Sequence, residues 1–483
     1  MTQIELNKAL DGVSDCSDSL SGEQVLGIST NSKEIIPGFI FVAIRGTNFD
    51  GNDFIDEALD RGAICAITDS KDIKDTNKII KVKNCRKVVG KISANLYDHP
   101  QKKIKIIGVT GTNGKTSTTL ILKSILESCG KKVLQVGTLG VIPNIVDKNF
   151  GLTTPDSIDI FKILSVAVQQ KYEFAIFEVS SHALSQNRID NLEFDFTGFT
   201  NLTLDHLDYH GTIDSYFNEK KKLFGLVKDN GSSLILNDSI YGKAICRKYK
   251  NTSTISFKDL DADFQCKQSN FNHDSTTASF NFKGKSINIY SKLVGQYNLE
   301  NIILAAAIAF EIGVDIKSIK EGVSLCEVIP GRYELIVNGG PGLIISDYGH
   351  TPDAYTNVLK SIKDIYRNKN IKVLFGAGGN RDKSKRVEMA KVIELFAMQC
   401  YIAPDNPRFE NINDINDDII KGFSKHIYQV FTKRENGLKK ALAELCSDDI
   451  LIIFGKGNEE YQEIDGKKIY YSDRKIIESF YAN

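Results

Sequence analysis

Short apolar runs, each ending in glycine or polar residues, alternate with helical patterns along most of this 483-residue chain. That length exceeds what one hydrophobic core holds, so two to four domains are expected. Residues 1–100 combine apolar runs with a helical stretch and predict a small α/β domain. Residues 101–330 show the strand–helix alternation that is typical of a doubly wound sheet. The same alternation returns over residues 331–483, so we predict an α/β fold throughout.

The pattern is sharpest at residues 104–119, where a β-branched run leads through a glycine-rich turn into a helical pattern. This is the strand–loop–helix order of a phosphate-binding loop. The glycines let backbone N–H groups face the phosphates, and the helix N-terminus adds its positive end. Lys115 can reach the β- and γ-phosphates, and the Thr116 hydroxyl can ligate Mg²⁺. Val109 stands where the general motif has its first glycine, but the order of elements still predicts a protein that binds ATP or GTP.

Composition narrows the classes of protein that fit. Lys and Arg together number 61, as do Asp and Glu, so the formal net charge is zero and gives no electrostatic reason to expect nucleic acid or an anionic membrane. No apolar run reaches transmembrane length and no hydrophobic segment lies near Met1, which argues against a membrane span and a signal peptide. The nine cysteines are scattered singly. They predict a cytoplasmic protein with buried structural thiols, without disulfides or a zinc site.

Two strand ends in the central segment carry candidate chemistry. Residues 173–178 predict a buried strand that ends in Glu178, and a carboxylate placed there beside a phosphate-binding loop can reach Mg²⁺. Residues 196–203 predict another strand, and His206 and His210 fall in the turn after it. Structural and functional roles for these histidines are equally compatible with the pattern.

Lys220 stands out in the helical stretch that follows. A run of lysines such as residues 220–222 is ordinarily a solvated face. Tyr216, Leu223 and Phe224 mark the apolar side of this helix, and Lys220 comes four residues after Tyr216. The spacing therefore predicts that Lys220 lies beside the apolar side and that the other two lysines face solvent.

The last segment repeats one arrangement at four strand ends, where each apolar run is followed by charged or polar residues. Any one of these residues, taken alone, is more often a surface charge. Their recurrence at four junctions predicts a ligand-binding rim on an open sheet. The residues are Asp347, His350, Asp353, Arg381, Asp382, Lys385, Arg386, Asp405, Asn406, Arg408, Lys456 and Glu459.

Taken in order, these motifs resemble those of the Mur ligases, the ATP-dependent amino-acid-adding enzymes of peptidoglycan synthesis. The resemblance spans essentially the whole chain. It is carried by the phosphate-binding loop with its unusual glycine spacing and by four further motifs, at residues 178–182, 201–206, 330–332 and 347–353. Within the family, the motifs at residues 153–155, 180–188 and 405–408 (Asp-Asn-Pro-Arg) resemble the branch that adds diaminopimelate.

The resemblance implies three domains, which would divide the chain into residues 1–100, 101–330 and 331–483. The first would bind the uridine end of UDP-N-acetylmuramoyl-L-alanyl-D-glutamate, the second ATP, and the third, a Rossmann-like α/β domain, the amino acid. The residues implied for ATP are Gly111, Thr112, Asn113, Gly114, Lys115, Thr116, Ser117, Asn298, Arg332 and Asp347. Those implied for the uridine substrate are Ser32, Thr153, Thr154, Ser180, Gln186 and Arg188.

The resemblance also implies that Lys220 is N-carboxylated, as N6-carboxylysine. Adding CO₂ turns the cation into an anion and needs a neutral amine, so we expect a depressed pKa at Lys220. The carbamate would help Thr116, Glu178 and His206 to hold Mg²⁺. Phosphoryl transfer from ATP would activate a substrate carboxylate, which an amine then captures, with catalytic roles implied for Lys115, Glu178, His206 and Lys220.

Choice of the amino acid is implied by the Asp-Asn-Pro-Arg turn. Diaminopimelate resembles lysine with one more carboxylate, which Arg408 can meet with its planar fork, while Asp405 and Glu459 can accept from ammonium groups. Lysine-adding relatives lack this arginine. The sequence departs from the family pattern at Asn458, where histidine is common, and at Gly349, where alanine is usual. The residues implied for meso-diaminopimelate are Arg386, Asp405, Asn406, Pro407, Arg408, Gly455 and Glu459.

Three other functions are weighed against this one. They are a lysine-adding ligase of the same branch, a folylpolyglutamate synthetase, and a nucleotide-dependent switch that hydrolyses ATP without ligation. The synthetase shares the central fold but lacks the uridine-binding domain and the Asp-Asn-Pro-Arg turn. We expect a monomer with small-molecule substrates and no nucleic-acid or membrane partner.

Overall fold

The computed structural model describes residues 4–15, 20–46, 49–148, 150–336 and 340–482. The chain forms an α/β fold in which sheets of mainly parallel strands follow one another along the sequence. This confirms the α/β fold class. Cys16, Thr47 and Asn48 lie outside the described residues.

The first sheet is parallel, with strand order β3-β4-β5-β6, and β1 and β2 pair separately as an antiparallel ribbon. The longest helix of this region begins after Asn84, whose side chain accepts from the Lys87 N–H as an N-cap. The strands are β1 (Ile4–Glu5), β2 (Gln24–Val25), β3 (Gly27–Ser29), β4 (Phe39–Val42), β5 (Cys65–Thr68) and β6 (Ile79–Lys81), and the helices are α1 (Leu6–Ala9), α2 (Ile55–Asp60) and α3 (Cys85–Leu96).

The central sheet has strand order β16-β15-β14-β13-β12-β11-β7-β10-β8-β9. Its strands are β7 (Lys105–Thr110), β8 (Val133–Gly137), β9 (Gly140–Ile142), β10 (Phe174–Glu178), β11 (Phe194–Phe199), β12 (Val227–Leu236), β13 (Thr252–Ser256), β14 (Phe264–Phe271), β15 (Thr276–Phe282) and β16 (Lys285–Ser291). Its helices are α4 (Lys115–Ser128), α5 (Ser157–Gln169), α6 (Ser181–Ser185), α7 (Leu207–His210), α8 (Ile213–Lys221), α9 (Ile240–Lys248), α10 (Gln296–Ile312) and α11 (Ile316–Leu325).

Strand β7 lies between β10 and β11 and runs parallel to both. The loops that follow these three strands therefore meet at one edge, which is where ligands bind in open α/β sheets. Helices cover both faces: α4 and α10 pack on one and α5 on the other. The alanine-rich α10 is apolar on nearly all sides, and it is correspondingly buried at Leu299 and from Asn301 to Ala309.

The last sheet has strand order β17-β18-β22-β19-β20-β21, and all its pairs are parallel except β17–β18. Its strands are β17 (Glu334–Ile336), β18 (Leu343–Asp347), β19 (Asn370–Phe375), β20 (Gln399–Ile402), β21 (Tyr428–Val430) and β22 (Asp449–Phe454), with a separate hairpin of β23 (Tyr461–Ile464) and β24 (Lys467–Tyr470). The helices are α12 (Pro352–Ile365), α13 (Ser384–Phe396), α14 (Ile412–Ile420), α15 (Arg434–Ala443) and α16 (Asp473–Tyr481). The predicted open sheet with four charged strand ends is confirmed, because β18, β22, β19 and β20 are parallel neighbours.

The thiols only partly follow the prediction of buried structural cysteines. Cys65, Cys85 and Cys400 are buried, but Cys446 is exposed, because it lies in the turn between α15 and β22. The search for membrane spans, confined to the described residues, finds no helix with the length and apolar character needed to cross a bilayer.

An ion pair between α15 and α16 is fully enclosed in the last domain. Arg434, which is 1% exposed, donates from Nη2 to Asp473 Oδ2 at 2.8 Å and to the Phe454 carbonyl at 2.9 Å. Removing one partner leaves the other charge buried without compensation, which costs about 3–5 kcal/mol. We expect Arg434→Leu and Asp473→Leu each to lower the free energy of unfolding of this domain by that amount in urea titrations followed by circular dichroism. A double variant as unstable as the sum of the two would contradict the pairing, because its loss should be smaller.

Candidate active site

The phosphate-binding loop has a backbone that only glycine fits at two positions. Gly111 has φ +153° and Gly114 has φ +87°. A Cβ atom at Gly111 would lie 1.8 Å from Thr200 Oγ1, and one at Gly114 would lie 2.2 Å from Asn301 Oδ1. The loop is therefore held closely between the end of β11 and α10.

Two lysine amines converge on one carbonyl of this loop. Lys115 Nζ donates to the Gly111 oxygen at 2.9 Å, and Lys220 Nζ donates to the same oxygen at 2.8 Å. Lys220 is 1% exposed, and its amine lies 4.6 Å from the centre of the Tyr216 ring. Burial and the charge of Lys115 hold the pKa of Lys220 well below its ordinary value, against the opposing effect of Asp205. The expected depressed pKa at Lys220 is confirmed, as is its place on the inner side of α8.

Glu178 ends the buried strand β10, as predicted, and its carboxylate is fully buried. Oε2 accepts from the Thr116 hydroxyl at 2.8 Å and from the Thr138 hydroxyl at 3.0 Å. Oε1 accepts from the Thr138 N–H at 3.0 Å and from Gln135 Nε2 at 3.2 Å. The acid and the first helical turn after the loop are thus directly linked.

The turn after β11 gathers aromatic and imidazole rings around His206. The ring of His182 lies 4.8 Å from that of His206, and the ring of Tyr209 lies 4.3 Å from that of His182. Burial lowers the pKa of His206 to about 3 and that of His182 to about 4, so both rings are neutral at physiological pH. His206 also has a left-handed backbone, with φ +55°. A neutral imidazole is the form that can act as a metal ligand.

Asp205 joins this turn to the last domain. Its carboxylate is 3.4 Å from Lys385 Nζ and 3.9 Å from His350 Nε2. Burial by itself would raise the pKa of Asp205, but Lys385, His206 and His350 together hold it below its ordinary value. Asp353, at the start of α12, makes a second link.

The Asp353 link reaches the phosphate-binding loop itself. Its Oδ2 accepts from Asn113 Nδ2 at 3.1 Å. The main chain of Asn113 is in turn held by Asn201, whose Oδ1 accepts from the Asn113 N–H at 3.0 Å. The rim of the last sheet therefore lies directly against the phosphate-binding loop. A ligand bound at the rim would lie next to a ligand bound at the loop.

The residues expected to meet the nucleotide from neighbouring elements are placed close to these links. Asn298 is 1% exposed and donates from Nδ2 to the Val294 carbonyl at 2.9 Å, while its Oδ1 has no hydrogen-bond partner within the described structure. Arg332 stacks its guanidinium 4.4 Å from the centre of the Tyr348 ring. Burial raises the pKa of Asp347, and Arg332 opposes that rise.

A cavity of about 700 Å³ lies between the first sheet and the central domain. Ser32, Gln186 and Arg188, all expected to bind the uridine substrate, line it, together with Arg86 and Lys33. Its wall thus combines cations with the aromatic rings of Phe41, Phe49 and Phe54. This lining suits a ligand that carries both anionic groups and a flat apolar ring.

The remaining expected uridine-substrate residues form a hydrogen-bonded path from that cavity to Glu178. Arg188 donates to Gln186 Oε1 at 2.6 Å and to the Thr154 carbonyl at 3.0 Å. The Thr154 hydroxyl donates to the Glu178 carbonyl at 2.8 Å and lies 3.2 Å from Ser180 Oγ. The Thr153 hydroxyl shares a 3.3 Å hydrogen bond with Thr138. One extended ligand could therefore run from the cavity to the phosphate-binding loop.

Arg408 follows β20 and has φ +54°. Its Nε donates to Glu463 Oε2 at 3.1 Å, and its Nη1 donates to the Gly379 carbonyl at 2.9 Å. The guanidinium is partly exposed and its Nη2 edge is not used by either contact. Asp405 and Glu459 lie on the same rim, on either side of the buried ammonium of Lys456.

Arg386 does not present its guanidinium to this rim. It is 0% exposed, and Nη1 and Nη2 each donate to a Glu410 oxygen at 2.8 Å, while Nη1 also reaches Asp418 Oδ2 at 3.1 Å. Hydrogen bonds from Arg386 lower the pKa of Glu410 to about 2. The structure therefore argues against direct ligand contact by Arg386, because α13 turns this side chain inward with Met389 and Ile393.

Arg381, unlike Arg386, has its side chain exposed on the rim near Arg408. A methyl group at Gly378 would lie 3.0 Å from Arg408 Nη1 and 3.6 Å from Arg381 Cγ. Arg381 is exposed, lies close enough to His182 to lower its pKa, and pairs with no carboxylate in the described part of the chain. The sequence pattern places Arg381 on the rim but indicates no ligand role for it.

Asn458 and Gly349 are the two departures from the expected motifs. Asn458 is exposed, and Glu459 still accepts from Lys456 at 3.0 Å and from Asn406 Nδ2 at 3.1 Å. A Cβ atom at Gly349 would lie 2.8 Å from Asp347 Oδ1. Glycine thus gives the Asp347 carboxylate room that alanine would crowd.

Comparison with known proteins gives matches along nearly the whole chain. Residues 24–97 match the Mur ligase family catalytic domain, residues 109–309 the Mur ligase middle domain, and residues 331–457 the Mur ligase glutamate ligase domain. A Fusobacterium nucleatum UDP-N-acetylmuramoyl-L-alanyl-D-glutamate–2,6-diaminopimelate ligase is 39% identical over 93% of this chain and 92% of its own length. The chain belongs to the Mur ligase family. It is therefore an ATP-dependent ligase that forms amide bonds.

A second relative and two solved structures are also similar to this chain. The Clostridium tetani protein with the same name is 36% identical, over 93% of each chain. A solved structure with that name is 26% identical and superimposes with a TM-score of 0.71 over 100% of this chain and 99% of its own. A Thermotoga maritima MurF ligase in complex with ADP, at 21% identity and a TM-score of 0.61 over 88% of this chain and 93% of its own, shares the fold.

The Mg²⁺ expected in a Mur ligase can be tested against the donors present. Among the described residues, no group of three or more His, Cys, Asp or Glu side chains forms a ready metal site. Mg²⁺ in phosphoryl-transfer sites is ordinarily held by one or two carboxylates together with substrate phosphates. Glu178 with the Thr116 hydroxyl, beside the phosphate-binding loop, fits that mode.

Asn301 is a contributor that sequence reasoning missed. Its Oδ1 accepts from the Thr118 hydroxyl at 3.3 Å and touches Gly114 from α10. The repeated Gly-x-x-Asn-x-x-Asn spacing, in which Asn298 and Asn301 share one helical face, was the available signal.

We expect Gly114→Ala to weaken ATP binding by about tenfold or more, since an L side chain is strained at this φ and its Cβ meets Asn301. Gly140→Ala is the matched control, because Gly140 has φ +88° but nothing within 4 Å of its would-be Cβ. Asn301→Ala should restore part of the affinity to the Gly114 variant. Calorimetric titration with a non-hydrolysable ATP analogue measures all four proteins, and equal losses at both glycines would contradict the contact.

Proposed function

We propose that this Mur ligase adds meso-2,6-diaminopimelate to UDP-N-acetylmuramoyl-L-alanyl-D-glutamate, in the synthesis of a peptidoglycan precursor. The full-length similarity to ligases named for that reaction supports the proposal. The observation that carries it within this chain is the placement of Arg408 beside Asp405 and Glu459 on the rim that faces the phosphate-binding loop. A guanidinium next to ammonium acceptors suits an amine that carries a distant carboxylate.

The reaction proceeds in two steps. The side-chain carboxylate of D-glutamate attacks the γ-phosphorus of ATP, ADP leaves, and an acyl phosphate forms. The amine of diaminopimelate then attacks the acyl carbon, inorganic phosphate leaves, and the nitrogen loses its proton as the amide forms. Lys115 and the loop N–H groups bind the phosphates and offset their charge, which is the main requirement of phosphoryl transfer.

Mg²⁺ would be held by Thr116, Glu178 and His206, with Lys220 contributing as its carbamate. When bound, the ion neutralises charge on the transferring phosphoryl group. The neutral amine favoured at Lys220 supports its modification to N6-carboxylysine. As a carbamate, the Lys220 side chain would also cease to repel Lys115.

The other ligand sites follow the grouping of residues. We assign the uridine end to the cavity lined by Ser32, and the peptide end to the path through Thr153, Thr154, Ser180, Gln186 and Arg188. ATP is assigned to residues 111–117 with Asn298, Arg332 and Asp347. Diaminopimelate is assigned to Asp405, Asn406, Pro407, Arg408, Gly455 and Glu459, and Arg381 replaces Arg386 as the further cation.

The proposal includes the division into residues 1–100, 101–330 and 331–483, a monomeric state and action in the cytoplasm. The boundary near residue 100 is supported by the turn between α3 and β7, and that near 330 by the turn between α11 and β17. A lysine-adding ligase is disfavoured by Arg408. Folylpolyglutamate synthetase is disfavoured by the cavity against the first sheet.

The test is the release of phosphate from ATP by the purified protein. Release should require the UDP-muramoyl dipeptide and diaminopimelate together, and lysine should replace diaminopimelate poorly. Hydrolysis that is independent of both would indicate a switch instead.

Arg408→Ala should lose about 2–4 kcal/mol of kcat/KM for diaminopimelate, because the partner carboxylate is left unpaired, and should bind ATP normally. Arg367→Ala, an exposed arginine of the same domain, is the control, and equal loss of both properties in the Arg408 variant would contradict its role.

A second test addresses Lys220 directly. Protein equilibrated with ¹³C-bicarbonate should give a carbamate carbon resonance by NMR, because the buried amine is available in its neutral form. The signal should disappear in Lys220→Arg and persist in Lys221→Arg, which alters the neighbouring lysine on the solvent side of α8. A signal that survives in the Lys220 variant would place the carbamate elsewhere.

A further inference from the structure

Lys456 is a fully buried cation in the loop after β22, with 0% of its surface exposed. Its Nζ donates to Asn406 Oδ1 at 2.6 Å and to Glu459 Oε2 at 3.0 Å, and lies 3.3 Å from Asp405 Oδ1. These three partners are residues to which the proposed function assigns the substrate amino acid. The chain thus places an ammonium group of its own among the groups meant for an ammonium of the ligand.

The contact to Asn406 decides which way its amide points. Asn406 Oδ1 accepts from Lys456 and also from the Glu463 N–H at 2.9 Å. Two donors on one side fix that atom as the oxygen, so Nδ2 must point the other way, where it donates to Glu459 Oε2 at 3.1 Å. Lys456 therefore sets the donor and acceptor pattern of the pocket as well as its charge.

Two glycines with positive φ flank Lys456 and allow the loop to place its side chain in the pocket. Gly455 has φ +103°, and a Cβ atom there would lie 2.8 Å from Asp405 Oδ2. Gly457, with φ +52°, packs against Tyr348, whose hydroxyl donates to Glu459 Oε1 at 3.4 Å. A buried lysine is tolerated only where its charge is paired and hydrogen-bonded. Here the pairing is completed entirely by pocket residues.

We propose that Lys456 is a positioning residue for the incoming amino acid, an internal ammonium that orients Asp405, Asn406 and Glu459. Two carboxylates against one ammonium leave one net negative charge, which matches a single ammonium group of the ligand. This inference rests on the proposed function, because it concerns the amino-acid site of the same reaction.

The experiment compares Lys456→Met with Lys372→Met. Lys372 is also a buried lysine of the last domain, 9% exposed and 2.7 Å from Asp449 Oδ2, but it lies near the amino end of β19, away from the rim. We expect Lys456→Met to raise the KM for diaminopimelate by about 10- to 100-fold. The dissociation constant of an ATP analogue and the KM for the UDP-muramoyl dipeptide should stay within about twofold. Lys372→Met should lower the Tm and leave all three constants unchanged.

An unchanged KM for diaminopimelate in Lys456→Met would overturn the inference, whatever happens to its Tm. If this variant does not fold, Lys456→Gln replaces it, since glutamine can still donate to Asn406 but carries no charge. A wild-type KM in Lys456→Gln would likewise overturn the inference. Failure of the wild-type protein to ligate diaminopimelate is a different result and would refute the proposed function itself.

Discussion

Two amines that share the carbonyl of Gly111 are the constraint on which the site depends. Lys115 and Lys220 reach the same oxygen at 2.9 and 2.8 Å. Burial and the charge of Lys115 lower the pKa of Lys220 more than Asp205 raises it, so both amines can stay charged only with a further anion nearby. The nucleotide phosphates supply such an anion from outside. A carbamate on Lys220 supplies one from within the chain, and it reverses the sign of that side chain. The depressed pKa of Lys220 is thus a consequence of the phosphate-binding loop and of the position of α8.

The rest of the site is a matter of where parallel strands end. Strands β7, β10 and β11 bring the loop, Glu178 and the His206 turn to one edge of the central sheet. Strands β18, β22, β19 and β20 do the same for the last sheet. The two edges face one another, and the Asn113–Asp353 and Asp205–Lys385 contacts join them. In the proposed reaction, an acyl phosphate formed at one edge would therefore be close to an amine held at the other.

The sequence predicted most directly those features in which the residue type has a single physical role. The glycines and Lys115 of the loop, the acid at the end of β10 and the inward turn of Lys220 all follow from local pattern. It placed Arg386 on the rim, whereas the fold buries this side chain, because the choice between two arginines after β19 depends on the phase of α13. Met389, Ala390 and Ile393 lie at i+3, i+4 and i+7 from Arg386, and this spacing already places Arg386 on the buried side. The spacing of Asn298 and Asn301 marks one helical face, but it does not identify Gly114 as the partner, since that contact joins elements nearly two hundred residues apart.

The amino-acid site also illustrates why a list of charged residues on a rim does not define a ligand. Asp405 and Glu459 read as ammonium acceptors in the sequence, yet in the fold both already face Lys456. Only those pocket charges that the chain has not already paired with its own side chains remain available to a ligand. Glu410 neutralises the charge of Arg386 in the same way, whereas Arg381 and one edge of the Arg408 guanidinium remain available to a ligand. The proposed selectivity for an amino acid with two carboxylates would then follow from the guanidinium groups left unpaired, because those are what a ligand carboxylate can still satisfy.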